Sequence, residues 1–213
     1  IAMDAGQRLS FHPGPFNCLG SRNESVVQKT IAELDAHATQ MDLMGLPVSP
    51  QAKINIHIGG AYGEHDKALA RFCNNFKRLA PSTQARLTVE NDDRQSMFST
   101  KMLYDGVSKH IGVPIVFDSH HHDLGPQDLD YHDAFHLARQ TWAIRGVKQQ
   151  CHHSNSRKHY EDPSVKATAH SDWYYTPFEA YGKDVDVVLE CKKKEQALFK
   201  YREDFQKKIL TAA

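Results

Sequence analysis

The stretch V-P-I-V-F-D-S-H-H-H, residues 113–122, runs apolar through Phe117, stops on Asp118 and then delivers His120, His121 and His122 in succession. A short apolar run rich in β-branched residues predicts a buried strand, and this one ends on metal-ligand side chains. The pattern recurs along the chain: R-L-S-F runs into His12, K-I-N-I into His57, R-L-T-V into Glu90, Q-Q-C into His152 and D-V-V-L into Glu190. Between these runs lie helix-period stretches at 26–34, 68–79, 102–111 and 196–205. In the second, Leu69, Phe72, Cys73, Phe76 and Leu79 share one face, which is core packing.

Strands that alternate with helices predict an α/β fold with a parallel sheet covered by helices, either doubly wound or closed as a barrel. Two features favour a TIM-type (β/α) barrel. Ligand-type residues stand at nearly every strand end, which suits a ring converging on one axis, and no G-x-G-x-x-G follows a strand. The G-G-A-Y-G at 59–63 reads as a tight turn. Six units are present in 213 residues, whereas eight take about 250. The expectation is one barrel domain over 1–213 that lacks the first two βα units and begins at the third strand, N-terminally truncated. Such a barrel is open, with the Arg8–His12 and Val185–Glu190 strands as its edges.

Composition narrows the chemistry. Lys plus Arg equals Asp plus Glu at 26 each, so any phosphate binding must come from a local site. Cys18, Cys73, Cys151 and Cys191 are scattered without a C-x-x-C pair, which predicts free thiols rather than a thiolate metal site or a disulfide framework. No apolar run approaches the ~20 residues of a spanning helix, and the first residues lack a signal-peptide pattern. A soluble intracellular protein without membrane contact is expected, in the cytoplasm or nucleoid, or in the nucleus of a eukaryote. The 14 histidines are the unusual feature.

A single histidine at a strand end is more often structural than a ligand. Six strand ends together weigh differently. If His12, His57, Glu90, Asp118, His121, His152 and Glu190 share one face, Glu90, Asp118 and Glu190 repel one another unless cations intervene. Imidazole and carboxylate without sulfur suit Mn²⁺, Fe²⁺ or Zn²⁺, and this ligand number suits two or three ions. Such clusters activate water and stabilise displacement at phosphorus. On this reading the strand aims Asp118 at the metals and the loop after it returns His121.

These motifs resemble the ultraviolet-damage endonucleases, TIM-barrel enzymes that nick DNA 5′ to pyrimidine dimers and 6-4 photoproducts. The resemblance is carried by R-L-S-F-H-P-G (8–14), H-I-G-G-A-Y-G (57–63), L-T-V-E-N-D-D (87–93), V-P-I-V-F-D-S-H-H-H (113–122), His152 with Ser154, A-H-S-D (169–172) and L-E-C-K-K-K-E-Q-A (189–197). It implies a manganese cluster held by His12, His57, Glu90, Asp118, His121, His152, His170 and Glu190, with His170 added by this route alone. It also implies catalytic roles for Glu90, Asp118 and Glu190. DNA contacts fall to Pro15, Phe16, Tyr62, Lys192 and Lys194. The implied partner is damaged double-stranded DNA, with the protein acting as a monomer without an obligate protein partner.

Two positions depart from the family pattern. After H-P-G the family places a glutamine and an aromatic residue that push into the duplex, where this chain has Pro15 and Phe16. Two residues before the histidine that His152 matches, the family has a lysine that is carboxylated at the metals, where this chain has Gln150. Two other readings use the same residues: a metal-dependent barrel sugar isomerase or epimerase, and a non-catalytic remnant that still binds damaged DNA.

Gln150 generates a prediction. A neutral amide supplies no charge to offset neighbouring divalent ions, which repel one another in a partly desolvated site. Two ions should therefore survive dialysis, with a third retained only at high manganese. Gln150→Lys with bicarbonate should raise the stoichiometry, as measured by elemental analysis. Three ions retained by the unaltered protein would overturn this account.

Overall fold

The computed structural model describes residues 2–206. A helix α1 (Glu24–Leu43) precedes β1 (Ile54–Ile56), α2 (His65–Phe76), α3 (Pro81–Arg86) and β2 (Leu87–Glu90). Next come α4 (Thr100–Leu103) and α5 (Lys109–Ile111), joined by a π-turn over Tyr104–Ser108, then β3 (Ile115–Asp118), α6 (Ser119–Leu124) and α7 (Tyr131–Ala143). β4 (Gln150–His153), α8 (Arg157–Tyr160), β5 (Asp186–Leu189) and α9 (Lys194–Tyr201) complete the series, with a second π-turn over Arg202–Gln206. The strands form one parallel sheet in the order β1-β2-β3-β4-β5. This is an open half-barrel, consistent with part of a TIM barrel.

Local chemistry explains the elements. Asn23 caps α1 by accepting from the Ser25 backbone N–H at 2.9 Å, and the helix buries Val27, Thr30, Leu34, Ala38 and Met41 along one stripe. Asp130 caps α7 in the same way, accepting from Asp133 N at 2.8 Å. The sequence reading did not identify α7, although Ala134, Phe135, Ala138 and Trp142 make a buried stripe. The helix expected over 102–111 forms with a π-turn at its centre. There Gly106 lies so close to Leu69 of α2 that a Cβ would stand 2.5 Å from Leu69 Cδ1.

The strands have two unlike faces. Ile54, Ile56, Leu87, Val89, Ile115, Phe117 and Cys151 pack against the helices in the main apolar cluster. The alternate residues turn the other way, and those polar side chains meet: Thr88 Oγ1 donates to Asn55 Oδ1 at 2.8 Å, Asn55 donates to Glu90, and Lys53 Nζ lies 3.0 Å from His152 Nε2. Alternation at period two therefore separates an apolar, helix-facing core from a polar interior.

One predicted strand is corrected. Within 8–12, only Phe11 pairs, in a parallel bridge to Ile54, with Phe11 N donating to Lys53 O at 3.0 Å and Asn55 N to Phe11 O at 2.9 Å. At the other edge, β5 is half-buried throughout, whereas β1 to β4 are fully buried. Arg8 spans between the two edges. Its guanidinium donates to Pro50 O and Gln51 O beside β1, to Lys148 O before β4, and to Asp186 Oδ2 at 2.8 Å at the start of β5. The Arg8 side chain is only 7% exposed and its partner Asp186 33%, so the cation of this clasp is shielded while the carboxylate keeps part of its contact with water.

Burial pushes the Asp186 carboxyl up, but Arg8 and Lys148 draw it down further, below its ordinary range. The stabilisation is thus complete above the ordinary aspartate pKa and is lost as the pH falls through the lowered one. Arg8→Ala should destabilise the fold by about 2 kcal/mol near neutral pH, and by less in acid. Denaturant midpoints at two pH values measure this. A change below about 0.5 kcal/mol at neutral pH would remove the clasp from the account.

Candidate metal centre

Glu90 ends β2 fully buried, and four side chains from different parts of the fold reach it. His12 Nε2 lies 3.3 Å from Oε2, His152 Nδ1 3.2 Å from Oε2, and His121 Nδ1 3.1 Å from Oε1. Asn55 completes the set by donating to Oε2. His152 Nδ1 also stands 3.0 Å from Glu190 Oε1, so one imidazole joins the carboxylate that ends β2 to the one that follows β5. His57 Nδ1 lies 3.1 Å from Asp92 Oδ1, and its ring centroid is 5.4 Å from that of His121.

The expected loop after Asp118 is instead the helix α6. Asp118 is its cap, accepting from His121 N at 2.8 Å through Oδ1. Capping fixes the i, i+3 geometry that returns His121 to Oδ2, 4.0 Å away. Asn91 locks the turn: its Oδ1 accepts from Asp118 N and its Nδ2 donates to Asp118 O, both at 2.9 Å. With Nδ1–H of His121 donated to Asn91 O at 3.0 Å, Nε2 is the ring nitrogen left for another partner. His170 is held in the same way, Nδ1 to Glu190 O at 2.8 Å.

Three overlapping groups have ligand atoms within 4.8 Å of one another: His12, His57 and Glu90; His12, His152 and Glu190; and Glu90, Asp118 and His121. His170 stands outside these triads, with its ring centroid 6.5 Å from that of His121. Glu90 Oε1, Asp118 Oδ2, His57 Nδ1 and His152 Nδ1 are buried and make no hydrogen bond among the described residues. Their short separations from neighbouring ligand atoms are therefore contacts without hydrogen-bond alignment. Buried polar atoms seldom go unpaired, and atoms that converge without bonding to one another fit shared divalent cations.

The electrostatics agree. Burial pushes the Glu90 carboxyl up, but His152, His12 and His121 outweigh it and hold the group well below the usual range. Burial likewise raises Glu190, yet His152 brings it to about 2. Burial lowers His152, but Glu90 and Glu190 carry it to about 9 against the opposing charge of Lys53. Protons on imidazoles thus offset the carboxylates, and cations binding here would displace them.

Three participants went unassigned in the sequence reading. Lys53, 1% exposed and brought by burial to about 8 against the pull of Glu90 and Glu190, touches His152. Asn55 orients Glu90, and Asp92 faces His57. The signal was Lys53, Asn55 and His57 at period two, a polar face on an otherwise apolar strand. His120 and His122 are buried beside His121 and belong to none of the triads. Gln150 is buried on β4 with Oε1 unpartnered.

The residues expected to touch DNA lie at the surface. Phe16 is 90% exposed, and Pro15, Lys192 and Lys194 are exposed as well. Tyr62 is exposed with φ at 48°, and the Arg22 guanidinium lies 4.8 Å from its ring centroid.

A parallel half-barrel with imidazole–carboxylate groups converging at its strand ends defines a class of barrel protein whose centre is compatible with divalent metals. Residues 1–212 match the sequence profile described as UV-endonuclease UvdE, and the chain belongs to that family. It is 33% identical over 203 residues to the UV DNA damage endonuclease of Bacillus pumilus, covering 93% of this chain and 62% of the relative. It is 32% identical over 206 residues to the UV-damage endonuclease of Schizosaccharomyces pombe, covering 93% of this chain and 34% of that protein. The chain therefore spans only part of the length of these relatives. The crystal structure of SacUVDE superposes with a TM-score of 0.81 at 30% identity, over 96% of this chain and 67% of that one. A D-psicose 3-epimerase from Clostridium cellulolyticum H10 shares the fold at a TM-score of 0.54 and 13% identity, over 72% of this chain and 55% of that one.

Glu90→Gln keeps the volume of the side chain and removes the charge shared by His12, His121 and His152. It should weaken manganese binding by more than about tenfold in calorimetric titration while preserving the circular dichroism spectrum. Unchanged affinity would show that Glu90 is not a ligand.

Proposed function

We propose that the protein is a metal-dependent repair endonuclease that nicks the phosphodiester 5′ to pyrimidine dimers and 6-4 photoproducts. Membership of the UvdE family supports this reading, and the observation that carries it is the convergence of His12, His57, Glu90, Asp118, His121, His152 and Glu190 on shared ligand positions. His170 completes the ligand set, its backbone-anchored Nδ1 leaving Nε2 free. Manganese is the proposed ion, in two or three copies, with zinc or iron as alternatives for the same donors. Bound ions of this kind lower the pKa of water and offset charge on the attacking and leaving oxygens. The chain's own contribution is to hold Glu90 between three imidazoles, orient Asp118 through the α6 cap, and set Glu190 against His152. Lys192 and Lys194 follow Glu190 and are proposed to hold phosphates; Phe16, Pro15 and Tyr62 are proposed to meet the duplex, working as a monomer.

The sugar-epimerase reading has a shared fold in its support and no more. Among the described residues, no helix is long and apolar enough to cross a membrane. An intracellular site of action is part of the proposal, since that is where the genomic substrate lies.

Incubation with manganese and a duplex carrying one photoproduct should yield a single nick 5′ to the lesion. Asp118→Asn should reduce cleavage by more than about a hundredfold with the fold retained. Lesion binding without cleavage by the unaltered protein would select the non-catalytic reading instead. Phe16→Ala should weaken binding to damaged duplex by about 1–3 kcal/mol, the usual worth of one base stack, and affect a single strand less. Equal losses on both DNAs would remove its role as a wedge.

A further inference from the structure

The segment between β4 and β5 carries an aromatic feature that the metal centre does not use. The rings of Tyr160 and Tyr175 lie parallel, 4.7 Å apart between centroids and 4° between planes. Both remain in water, 47% and 39% exposed. We propose that this pair is a stacking platform for an unpaired base of a DNA strand crossing the rim of the centre, a proposal that rests on the DNA-cleaving reading above.

The platform is preorganised. Tyr175 Oη donates to Glu161 Oε1 at 3.0 Å, and the same carboxylate accepts from Asp172 N at 2.7 and 2.9 Å and from Trp173 N at 3.2 Å. Tyr175 N donates to Oδ1 of the buried Asn155 at 2.9 Å. Tyr160 closes α8, its N–H donating to Ser156 O at 3.3 Å. The Tyr175 ring, held at its hydroxyl and stacked on Tyr160, loses little further freedom when a base adds to the stack.

Backbone pairing ties the platform to the centre. Ser156 and His170 form an antiparallel bridge, Arg157 N donates to Ala169 O at 2.7 Å, and Ser171 N donates to Asn155 O at 2.9 Å. His170 is in turn bonded to the backbone of Glu190. Lys192 N donates to Ser171 O at 3.0 Å and Lys193 N to Asp172 O at 3.2 Å, which sets two exposed lysines beside the segment that leads to Tyr175. Lys158 precedes Tyr160 by two residues, and none of Lys158, Lys192 and Lys193 has an ion-pair partner among the described residues.

A chain with equal numbers of acidic and basic residues thus leaves lysines without ion-pair partners on the segments that lead to an exposed aromatic stack. Phosphates meeting the lysines and a base meeting the rings are the two halves of single-strand recognition. The base must be unpaired or displaced, since both faces of a base within a duplex are taken by its neighbours.

The test is fluorescence anisotropy with a labelled single-stranded oligonucleotide and with a duplex carrying a photoproduct. Tyr160→Leu and Tyr175→Leu keep apolar bulk and remove the π-face; each should weaken single-strand binding roughly tenfold. Tyr160→Phe keeps the face and should bind as the unaltered protein does. Circular dichroism and manganese content, unchanged in all variants, separate loss of the platform from loss of fold. Leucine variants that bind the single strand normally would overturn the platform while leaving the endonuclease reading intact. Unaltered protein that binds neither DNA would overturn both.

Discussion

Glu90 is the point on which the structure turns. Its carboxylate is wholly buried and is met by His12 from the segment beside β1, Asn55 from β1, His121 from α6 and His152 from β4. An ionised carboxylate taken out of water costs several kcal/mol unless charge and hydrogen bonds are returned to it. The fold returns a hydrogen bond from Asn55 and brings three imidazoles within 3.1 to 3.3 Å of the carboxylate oxygens. Strand register, the α6 cap and the position of His12 must therefore all be correct together for this group to be tolerated.

That demand explains why the strands carry two chemistries. The face against the helices is aliphatic and aromatic, and burying it stabilises the half-barrel. The opposite face holds Lys53, Asn55, Thr88, Glu90 and His152, a polar interior linked in chains of contacts that leave Glu90 Oε1 and His152 Nδ1 without hydrogen bonds among the described residues. A one-residue slip in register would exchange the faces and place charge in the apolar core. The polar centre and the apolar core thus require the same register. The edges are the weak points of an open sheet, and Arg8 joins the ground beside one to the first residue of the other with hydrogen bonds that β pairing would otherwise supply.

Much of this was legible in the chain. Five of the six apolar runs, those that lead to His57, Glu90, Asp118, His152 and Glu190, announced parallel strands, because a strand and the residue at its end are adjacent in sequence. The helix α7 was harder to see, since His132, Asp133, His136, Arg139 and Gln140 dilute its apolar stripe. The segment at 8–12 looked like a full strand by composition yet pairs only through Phe11, because pairing depends on what lies alongside.

Local spacing by itself determined which side chains could be delivered together: residue types at strand ends, the Asp118 to His121 step and the period-two polar face are properties of neighbouring positions. Tertiary structure alone decided which distant deliveries meet. Lys53 against His152, Arg8 against Asp186, and Tyr160 parallel to Tyr175 join residues whose separation along the chain says nothing of their separation in space. The physical reason is that backbone dihedrals act over a few residues, whereas contacts across a sheet or between loops exist only once the whole chain has closed around its core.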